Sequence, residues 1–563
     1  MNARAVIIAL AVVAVGAAIM MSGGGNKSKG KGDLGSTPST GKAPSGSLKI
    51  TFAYSPEKEV LALPLIKQFN SEHVKVDGRP VFVEAQNVSS GDAETKIAQG
   101  QLKPTAWSPA SSLWGRLLNY EADKGYIAQD NPSLARTPLV IAMWEPLARA
   151  LGWPKKPVGF GEVLKLATSR TGWADYGHPE YGRFKLGHTN PDFSTSGLSA
   201  VAAEYFAATG KREGLTQKDI ADPAVRRRIK TIEQSIVHYG DTTLFFSDQL
   251  KAHGPAYASA VAMEEATLVA FNKGRRGTKL VGIYPREGTF FSDNPFLILN
   301  APWVSAAQKQ AAQKLADYLE QKITPARALA AGFRPGDPNV KPTAPIDAAH
   351  GADPNEPRTT LGLPEPKVLA AVKRAWRADR KAANVMLVFD TSGSMGEESK
   401  IDQAKDGLRV FFRELSPRDR VGLSSFNTKV FMEAAIAPVA TNLPLLKRRV
   451  SGLLPDGETA VFDATSKAYD AVRALRDDTR INAVVVLTDG EDNQSQLTAR
   501  ELVAKLSAQN QSEQQVVRVF TIAYGSGANR STLAEIAKAS GGEEFAGDPT
   551  QIEAVYRTIS SFF

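Results

Sequence analysis

The chain contains no cysteine among its 563 residues. This absence excludes disulfide bonds, thiolate metal sites, a cysteine nucleophile and a lipid-modified amino-terminal cysteine. The six histidines do not cluster, and no His-Glu-x-x-His motif, Gly-x-Ser-x-Gly elbow or Walker-type loop occurs. The sequence therefore names no reaction, and we expect a protein that is not an enzyme.

Neither sign of charge is in large excess, because 23% of the residues are charged and the formal net charge is only +9. No basic stretch carries interleaved aromatic residues, so we expect no nucleic-acid partner. The length predicts two or three domains. The most basic short run, Lys373 to Lys381, follows Val368 and Val372 and includes Trp376, all at four-residue spacing. This pattern predicts an amphipathic helix with a solvated basic face; contact with an acidic lipid or protein surface is the alternative.

Long apolar runs are confined to the beginning of the chain. Residues Ala5 to Met21 form a nearly unbroken apolar stretch after Arg4, at roughly 17 residues the lower limit for spanning a bilayer. Both a secretory signal peptide and an uncleaved signal anchor over residues 1–22 fit, and we expect the anchor. Residues 23–47, rich in Gly, Ser, Lys and Pro, are predicted to be a flexible linker. The expected location is the cell membrane with extracytoplasmic domains; secretion or a periplasmic location after cleavage is the alternative.

The most informative motif begins where a predicted buried strand, Val385 to Phe389, ends at Asp390. Ser392 and Ser394 follow, with Gly393 between them. Oxygen ligands on a tight loop suit a hard divalent cation such as Mg²⁺. The carboxyl end of a strand is also where open α/β sheets place their ligands. Taken alone, this motif is equally compatible with a serine that caps the next helix.

Two downstream segments extend the motif. Thr459 lies in a loop that leads into a predicted helix, and Asp489 follows a second apolar strand, Ile481 to Leu487. Asp390-x-Ser392-x-Ser394, then Thr459, then Asp489, in this order and spacing, resembles the metal-ion-dependent adhesion site of von Willebrand factor type A domains. The resemblance covers residues 381–563. Alternating strands and helices over this range independently predict a doubly wound, mostly parallel sheet.

The resemblance implies a role for each of these residues. The hydroxyls of Ser392 and Ser394 would bind Mg²⁺ (or Mn²⁺ or Ca²⁺) directly, and Thr459 directly or through water. Asp390 and Asp489 would hold coordinating waters. An acidic residue of a protein partner would complete the coordination. Glu458 departs from the pattern, because bacterial relatives usually have glycine before the threonine; its carboxylate adds to cation affinity, competes with an acidic ligand or points to solvent.

Residues 48–340 form a second predicted α/β unit. The motif Gly187-x-x-x-Pro191-x-x-Ser194-x-Ser196-Gly197, supported by Tyr284-Pro285-x-x-Gly288-Thr289, resembles type II periplasmic substrate-binding proteins, which have two α/β lobes and a ligand cleft. The candidate cleft residues are Ser55, Ser108, Ser194, Thr195, Ser196 and Gly197. Hydroxyls and backbone N–H groups at a helix amino terminus suit a small polar or anionic solute, and Arg286 could add charge. Each serine is also a candidate for an ordinary helix cap.

The predicted fold class is therefore α/β, with a two-lobed type II periplasmic-binding-protein-like domain at 48–340, a linker and basic helix at 341–380, and a doubly wound von Willebrand factor type A domain at 381–563. The expected function is divalent-cation-dependent protein contact by a membrane-anchored extracytoplasmic binding protein. A solute receptor of an ABC transporter is one alternative. An intracellular partner subunit of an AAA+ ATPase is another, which the apolar amino-terminal segment disfavours.

Overall fold

A computed structural model describes residues 38–128, 132–510, 516–549 and 552–563. The proposed signal segment and most of the proposed flexible linker lie outside the described residues. Within those ranges, none of the helices combines the length and the apolar character that crossing a bilayer requires.

The upstream unit alternates strands and helices. Its strands are β1 (Leu48–Tyr54), β2 (Lys75–Val76), β3 (Arg79–Asn87), β4 (Ala106–Ser108), β5 (Ala135–Trp144), β6 (Leu186–Thr189), β7 (Ile236–Gly240), β8 (Ala260–Glu264), β9 (Leu280–Ile283), β10 (Phe291–Ser292), β11 (Leu297–Ile298) and β12 (Arg334–Pro335). Its helices are α1 (Glu59–Ser71), α2 (Ser90–Ala98), α3 (Leu113–Glu121), α4 (Glu145–Ala150), α5 (Phe160–Thr168), α6 (Thr195–Thr209), α7 (Gln217–Ala221), α8 (Pro223–Gln234), α9 (Thr243–His253), α10 (Glu265–Asn272), α11 (Ala306–Lys322) and α12 (Pro325–Ala330).

These strands form two sheets, one for each lobe. The first lobe has the order β11-β4-β1-β3-β2, and β1 runs parallel to both of its neighbours. The second lobe has the order β10-β5-β8-β6-β7, and β9 and β12 also pair with β5. The chain passes to the second lobe before β5 and returns between β10 and β11, and the short strand β12 then pairs with the beginning of β5. Two α/β lobes with two crossings confirm the predicted fold of this unit.

The downstream unit is a single doubly wound sheet. Its strands are β13 (Ala383–Asp390), β14 (Arg420–Phe426), β15 (Val430–Pro438), β16 (Ile481–Thr488), β17 (Val517–Tyr524) and β18 (Glu544–Gly547). Its helices, with the one that precedes it, are α13 (Pro366–Asp379), α14 (Lys400–Glu414), α15 (Val439–Gly452), α16 (Val461–Arg473), α17 (Ala499–Asn510), α18 (Arg530–Ala539) and α19 (Ile552–Ser560).

The strand order β15-β14-β13-β16-β17-β18 explains the sequence pattern of this unit. Every residue of β13, β16 and β17 is buried, since helices cover both faces of a parallel sheet and demand continuous apolar runs. Only β15 is antiparallel, in a hairpin with β14. The predicted α/β class is confirmed.

Helix α13 was predicted correctly as a helix, but only part of its basic face is solvated: Arg374 and Arg377 are exposed, and Lys373 is not. Lys373 is only 3% exposed. Its ammonium lies 3.8 Å from carboxylate oxygens of Glu94 and of Glu121, and 4.0 Å from Asp192. Buried lysines require such partners. The partners come from distant parts of the chain, so helical spacing alone could not reveal them.

The carboxyl-terminal residues join the two units. Phe562 is fully buried, and its ring lies 5.0 Å from that of Phe245 in the second lobe and 4.9 Å from that of Phe520 in β17. The Asn190 side-chain amide donates to the Ser561 carbonyl oxygen at 3.2 Å. The upstream and downstream units therefore share one contiguous apolar core.

The aromatic side chain of Trp376 on α13 should contribute much of the stability of this interface. It is 2% exposed, packs edge-on against Tyr239 and donates to the buried carboxylate of Glu233 at 3.2 Å. We expect Trp376→Ala to destabilise the protein by about 3–5 kcal/mol. The midpoint of thermal unfolding should fall accordingly, whereas Arg374→Ala, at an exposed position of the same helix, should leave it nearly unchanged. Equal midpoints for the two variants would show that α13 is not part of the core.

Candidate metal centre and inter-lobe cleft

The metal-site motif begins at the carboxyl end of β13. The Asp390 carboxylate is fully buried and accepts from the Ser392 backbone N–H at 2.7 Å and from the Thr488 hydroxyl at 2.5 Å. Burial raises the pKa of Asp390 to about 6, and these two hydrogen bonds oppose that rise. Asp390 is thus fixed in one orientation behind the loop.

The two serines and Asp489 are linked by hydrogen bonds. The hydroxyl oxygens of Ser392 and Ser394 lie 3.1 Å apart, and the Ser394 hydroxyl donates to Asp489 Oδ1 at 2.7 Å. Asp489 directly follows β16, which pairs in parallel with β13. The carboxyl ends of adjacent parallel strands meet at one sheet edge, so this placement follows from the sheet order.

Thr459 reaches the same point from a loop that is tied to the β13 loop. Gly393 N–H donates to the Gly457 carbonyl at 2.9 Å. The Thr459 backbone N–H donates to Asn493 Oδ1 at 2.9 Å. A β-carbon placed on Gly490 would lie 3.4 Å from Thr459 Oγ1 and 3.8 Å from Ser394 Oγ. The structure therefore brings all five candidate residues together.

Lys400 is a residue of the site that the sequence analysis did not identify. Its ammonium donates to Asp489 Oδ2 at 2.8 Å. Burial lowers the pKa of Lys400, but the hydrogen bond and charge of Asp489 outweigh burial and raise it above its ordinary value. Lys400 is the first residue of α14, where a cation opposes the helix dipole. A lysine at the predicted start of a helix, where the helix dipole disfavours a cation, is the signal in the sequence that could have indicated a nearby carboxylate.

The rim of the site is acidic and exposed. Glu397, Glu398, Glu458 and Glu491 are all exposed around the loops. Glu458 accepts a hydrogen bond from the Asn493 side-chain amide at 2.5 Å, on the solvent side. This position agrees with the solvent-facing alternative for Glu458.

The donor set fits a hard divalent cation. It consists of three hydroxyls and two carboxylates, all oxygen, at the carboxyl edge of the sheet just beneath the exposed rim. The described residues contain no group of three or more His, Cys, Asp or Glu side chains placed to hold a metal ion. That result is compatible with the site, because only two of its five side chains are carboxylates.

The inter-lobe cleft is closed. The Trp114 indole N–H of the first lobe donates to Thr195 Oγ1 of the second at 2.7 Å, and Gly91 N–H donates to the Phe193 carbonyl at 2.8 Å. A cavity of about 10 Å³ remains between the lobes. Its hydroxyl-bearing residues are Ser55, Ser89, Ser90, Ser194, Thr195, Thr242 and Thr243.

Three of the six candidate cleft residues, and Arg286, lie elsewhere. The Ser108 hydroxyl is buried away from the cavity. Ser196 bonds to the Thr189 hydroxyl at 2.8 Å. Gly197 is needed for packing, since a β-carbon there would come within 2.0 Å of the Thr189 carbonyl oxygen. The Arg286 guanidinium pairs with Glu162 at 2.9 Å. Their spacing in the sequence did not show which way these side chains point.

Carboxylates dominate the charge of the cleft. Glu57, Asp241 and Glu264 line the cavity. Burial, followed by the charge of Glu57, raises the pKa of Glu264 above its ordinary value. Lys58 lies behind the lining, donates to Ser55 Oγ at 2.6 Å, and has its pKa lowered by burial to about 8. This lining favours a polar ligand with hydrogen-bond donors over an anion.

Sequence comparison agrees with this architecture. Residues 50–334 match the sequence model of the bacterial extracellular solute-binding proteins. The chain belongs to this family. Residues 384–556 match the von Willebrand factor type A domain, which thus follows the solute-binding domain. Both modules predicted from the sequence are confirmed, and both are typically non-catalytic.

The curated relatives are distant. Two uncharacterised proteins of Mycobacterium tuberculosis are each 23% identical over 459 residues, which are 78% of this chain and 64% of theirs. The chain thus spans slightly less than two thirds of the length of these relatives. Human inter-alpha-trypsin inhibitor heavy chain H4 is 24% identical over 193 residues, 32% of this chain and 20% of its own.

Solved structures resemble each module separately. A periplasmic thiamin-binding protein, 13% identical, covers 60% of this chain and 98% of its own, with a TM-score of 0.43. A von Willebrand factor type A protein from Catenulispora acidiphila, 19% identical, covers 32% of this chain and 42% of its own, with a TM-score of 0.29.

The metal site can be tested by a nearly isosteric change. We expect Asp390→Asn to abolish measurable Mg²⁺ binding in titration calorimetry, because the buried carboxylate that orients Ser392 loses its charge. Asp402→Asn, on the exposed face of nearby α14, should bind Mg²⁺ like the parent protein. Unchanged binding by Asp390→Asn, with an unchanged thermal midpoint, would rule out this site.

Proposed function

We propose that this protein makes divalent-cation-dependent contacts with a protein partner outside the cytoplasm. The observation that supports this function is the convergence of three hydroxyls and two carboxylates at the carboxyl edge of the downstream sheet, beneath an exposed acidic rim. Membership of an extracellular solute-binding family supports export, and the apolar residues 1–22 are proposed as the membrane anchor.

The chain's own residues explain how such a contact would work. When bound, the cation supplies an electrophilic centre for a carboxylate of the partner. Ser392, Ser394 and Thr459 offer neutral hydroxyls, so their contact leaves the charge of the cation uncompensated. Asp390 is held by Thr488, and Asp489 by Lys400, so neither carboxylate is free to approach without reorganisation.

The upstream module is proposed to bind a small solute that is rich in hydrogen-bond donors. Hydroxyls and three carboxylates line its cavity, and the cation that lies close behind Ser55, Lys58, is already bonded to Ser55, Pro109 and Asn294. A receptor for an ABC transporter remains the second candidate function, favoured by the two-lobed cleft.

Partner contact can be tested on intact cells of the source organism. A membrane-impermeant amine-reactive cross-linker should join the parent protein and the Asp402→Asn variant to the same partner, identified by mass spectrometry. The product should disappear with EDTA and in Asp390→Asn, since both remove the cation. The same products in all samples would contradict cation-dependent contact, and products only with a membrane-permeant reagent would contradict export.

Solute preference can be tested by thermal shift of the full-length protein. Spermidine and arginine amide should raise the unfolding midpoint more than citrate or phosphate, because the cleft carries three carboxylates. A solute at a hundred times its Kd stabilises by about 2.7 kcal/mol. Asp241→Asn should weaken the effect, whereas Asp248→Asn, at a half-exposed position on α9, should not. Stabilisation by the anions alone would overturn the proposed preference.

A further inference from the structure

Two helices from outside the two lobes contact both of them. The first is α13, whose Lys373 lies between Glu94 of the first lobe and Asp192 of the second. Arg377 on the same helix also binds Asp192 through two hydrogen bonds of 2.6 and 2.8 Å. Because α13 continues directly into β13, the downstream domain is attached to a helix that bridges the lobes.

The second bridging helix is α19, at the end of the downstream domain. A cavity of about 20 Å³ lies where α19 meets the mouth of the cleft. Its walls are Ser89, Asp92 and Lys96 of the first lobe, Phe193 and Asp241 of the second, and Ala554, Arg557 and Thr558 of α19. Ser89 and Asp241 also line the inter-lobe cavity, so the two cavities adjoin.

The end of α19 is fixed to the second lobe. Phe562 packs against His238 and Phe245 of that lobe, and Tyr239 N–H donates to the Phe562 carbonyl at 3.4 Å. Opening the cleft by moving the first lobe away would therefore separate Ser89 and Asp92 from α19 while the helix stays with the second lobe.

A polar side chain at the mouth faces both cavities. Ser89 is 5% exposed and lines both of them. Although Ser89 precedes α2, its hydroxyl makes no capping hydrogen bond. This hydroxyl is therefore available for a hydrogen bond with a ligand at the mouth.

We propose that α19 of the von Willebrand factor type A domain is the third wall of the solute site and its lid. A solute in the cleft would then contact Thr558 of α19 as well as both lobes, and it would enter only when the first lobe and α19 separate. The identity of the solute rests on the proposed function, but the position of the lid does not.

The absence of cysteine makes the lid directly testable in the full-length protein. Ser89→Cys places a single thiol at the mouth, and Ser71→Cys places one on the exposed end of α1 as a reference. We expect N-ethylmaleimide to modify Cys at position 89 at least about tenfold more slowly than at position 71, because modification waits for local opening. Mass spectrometry gives both rates.

Releasing the lid should accelerate labelling only at the mouth. Phe562→Ala removes the anchor and should raise the labelling rate in the Ser89→Cys background by about tenfold, with no change in the Ser71→Cys background. Arg557→Glu, which places a carboxylate beside Asp92 and Asp241 without touching the core, should act in the same direction. Glu553→Gln, at an exposed position of α19, is the matched control.

Two outcomes would contradict the proposal that α19 is a lid. One is labelling at position 89 as fast as at position 71 in the otherwise unchanged protein. The other is labelling that neither Phe562→Ala nor Arg557→Glu accelerates, with folding of each variant verified by circular dichroism. If no solute shifts the thermal midpoint but the labelling still depends on α19, then the solute preference fails and the lid stands.

Discussion

The placement of the two modules depends on one buried carboxylate, Glu233 of the second lobe. It accepts from the Tyr239 hydroxyl at 2.6 Å and from the Trp376 indole N–H at 3.2 Å, and His188 Nε2 lies 3.1 Å away. The Tyr239 hydroxyl in turn accepts from the Lys381 backbone N–H at 3.0 Å, where the downstream domain begins. Removing one partner of a buried charge costs about 3–5 kcal/mol, so this network specifies one arrangement of lobe, helix and domain.

This arrangement gives a continuous path of contacts between the cleft and the metal site. Arg557 faces the cleft mouth and lies 4.0 Å from Glu414 at the end of α14. A β-carbon on Gly407 of α14 would come within 2.6 Å of the Tyr556 ring, so α14 and α19 are in close contact at this position. Helix α14 begins at Lys400, whose ammonium holds Asp489. The helix that lines the cleft mouth is therefore packed directly against the helix that adjoins the metal site.

The sequence alone was sufficient for features that depend on residues close together along the chain. A carboxylate and two serines directly after an apolar strand, with Asp489 after another, were enough to predict that these side chains meet, because parallel strands bring their ends to one edge. The burial of Lys373 was not predictable, since its three carboxylate partners lie in segments far from it along the chain. Ser108 and Ser196 do not line the cleft. Their positions in a strand and a helix did not show which side of each element would face it, because that depends on how the elements pack.

The sequence analysis allowed a polar or an anionic solute because it did not identify the carboxylates that line the cleft. Helix amino termini attract anions, and α6 and α9 both begin at the cavity, which made an anionic solute a reasonable expectation. The chain supplies its own carboxylates there: Asp241 lies just before α9, and Glu264 directly precedes α10. These groups use the partial positive charge of the helix ends, and they leave hydroxyls and residual negative charge to face the solute. A helix terminus in a sequence therefore predicts an anion site only when no acidic side chain of the same fold reaches it first.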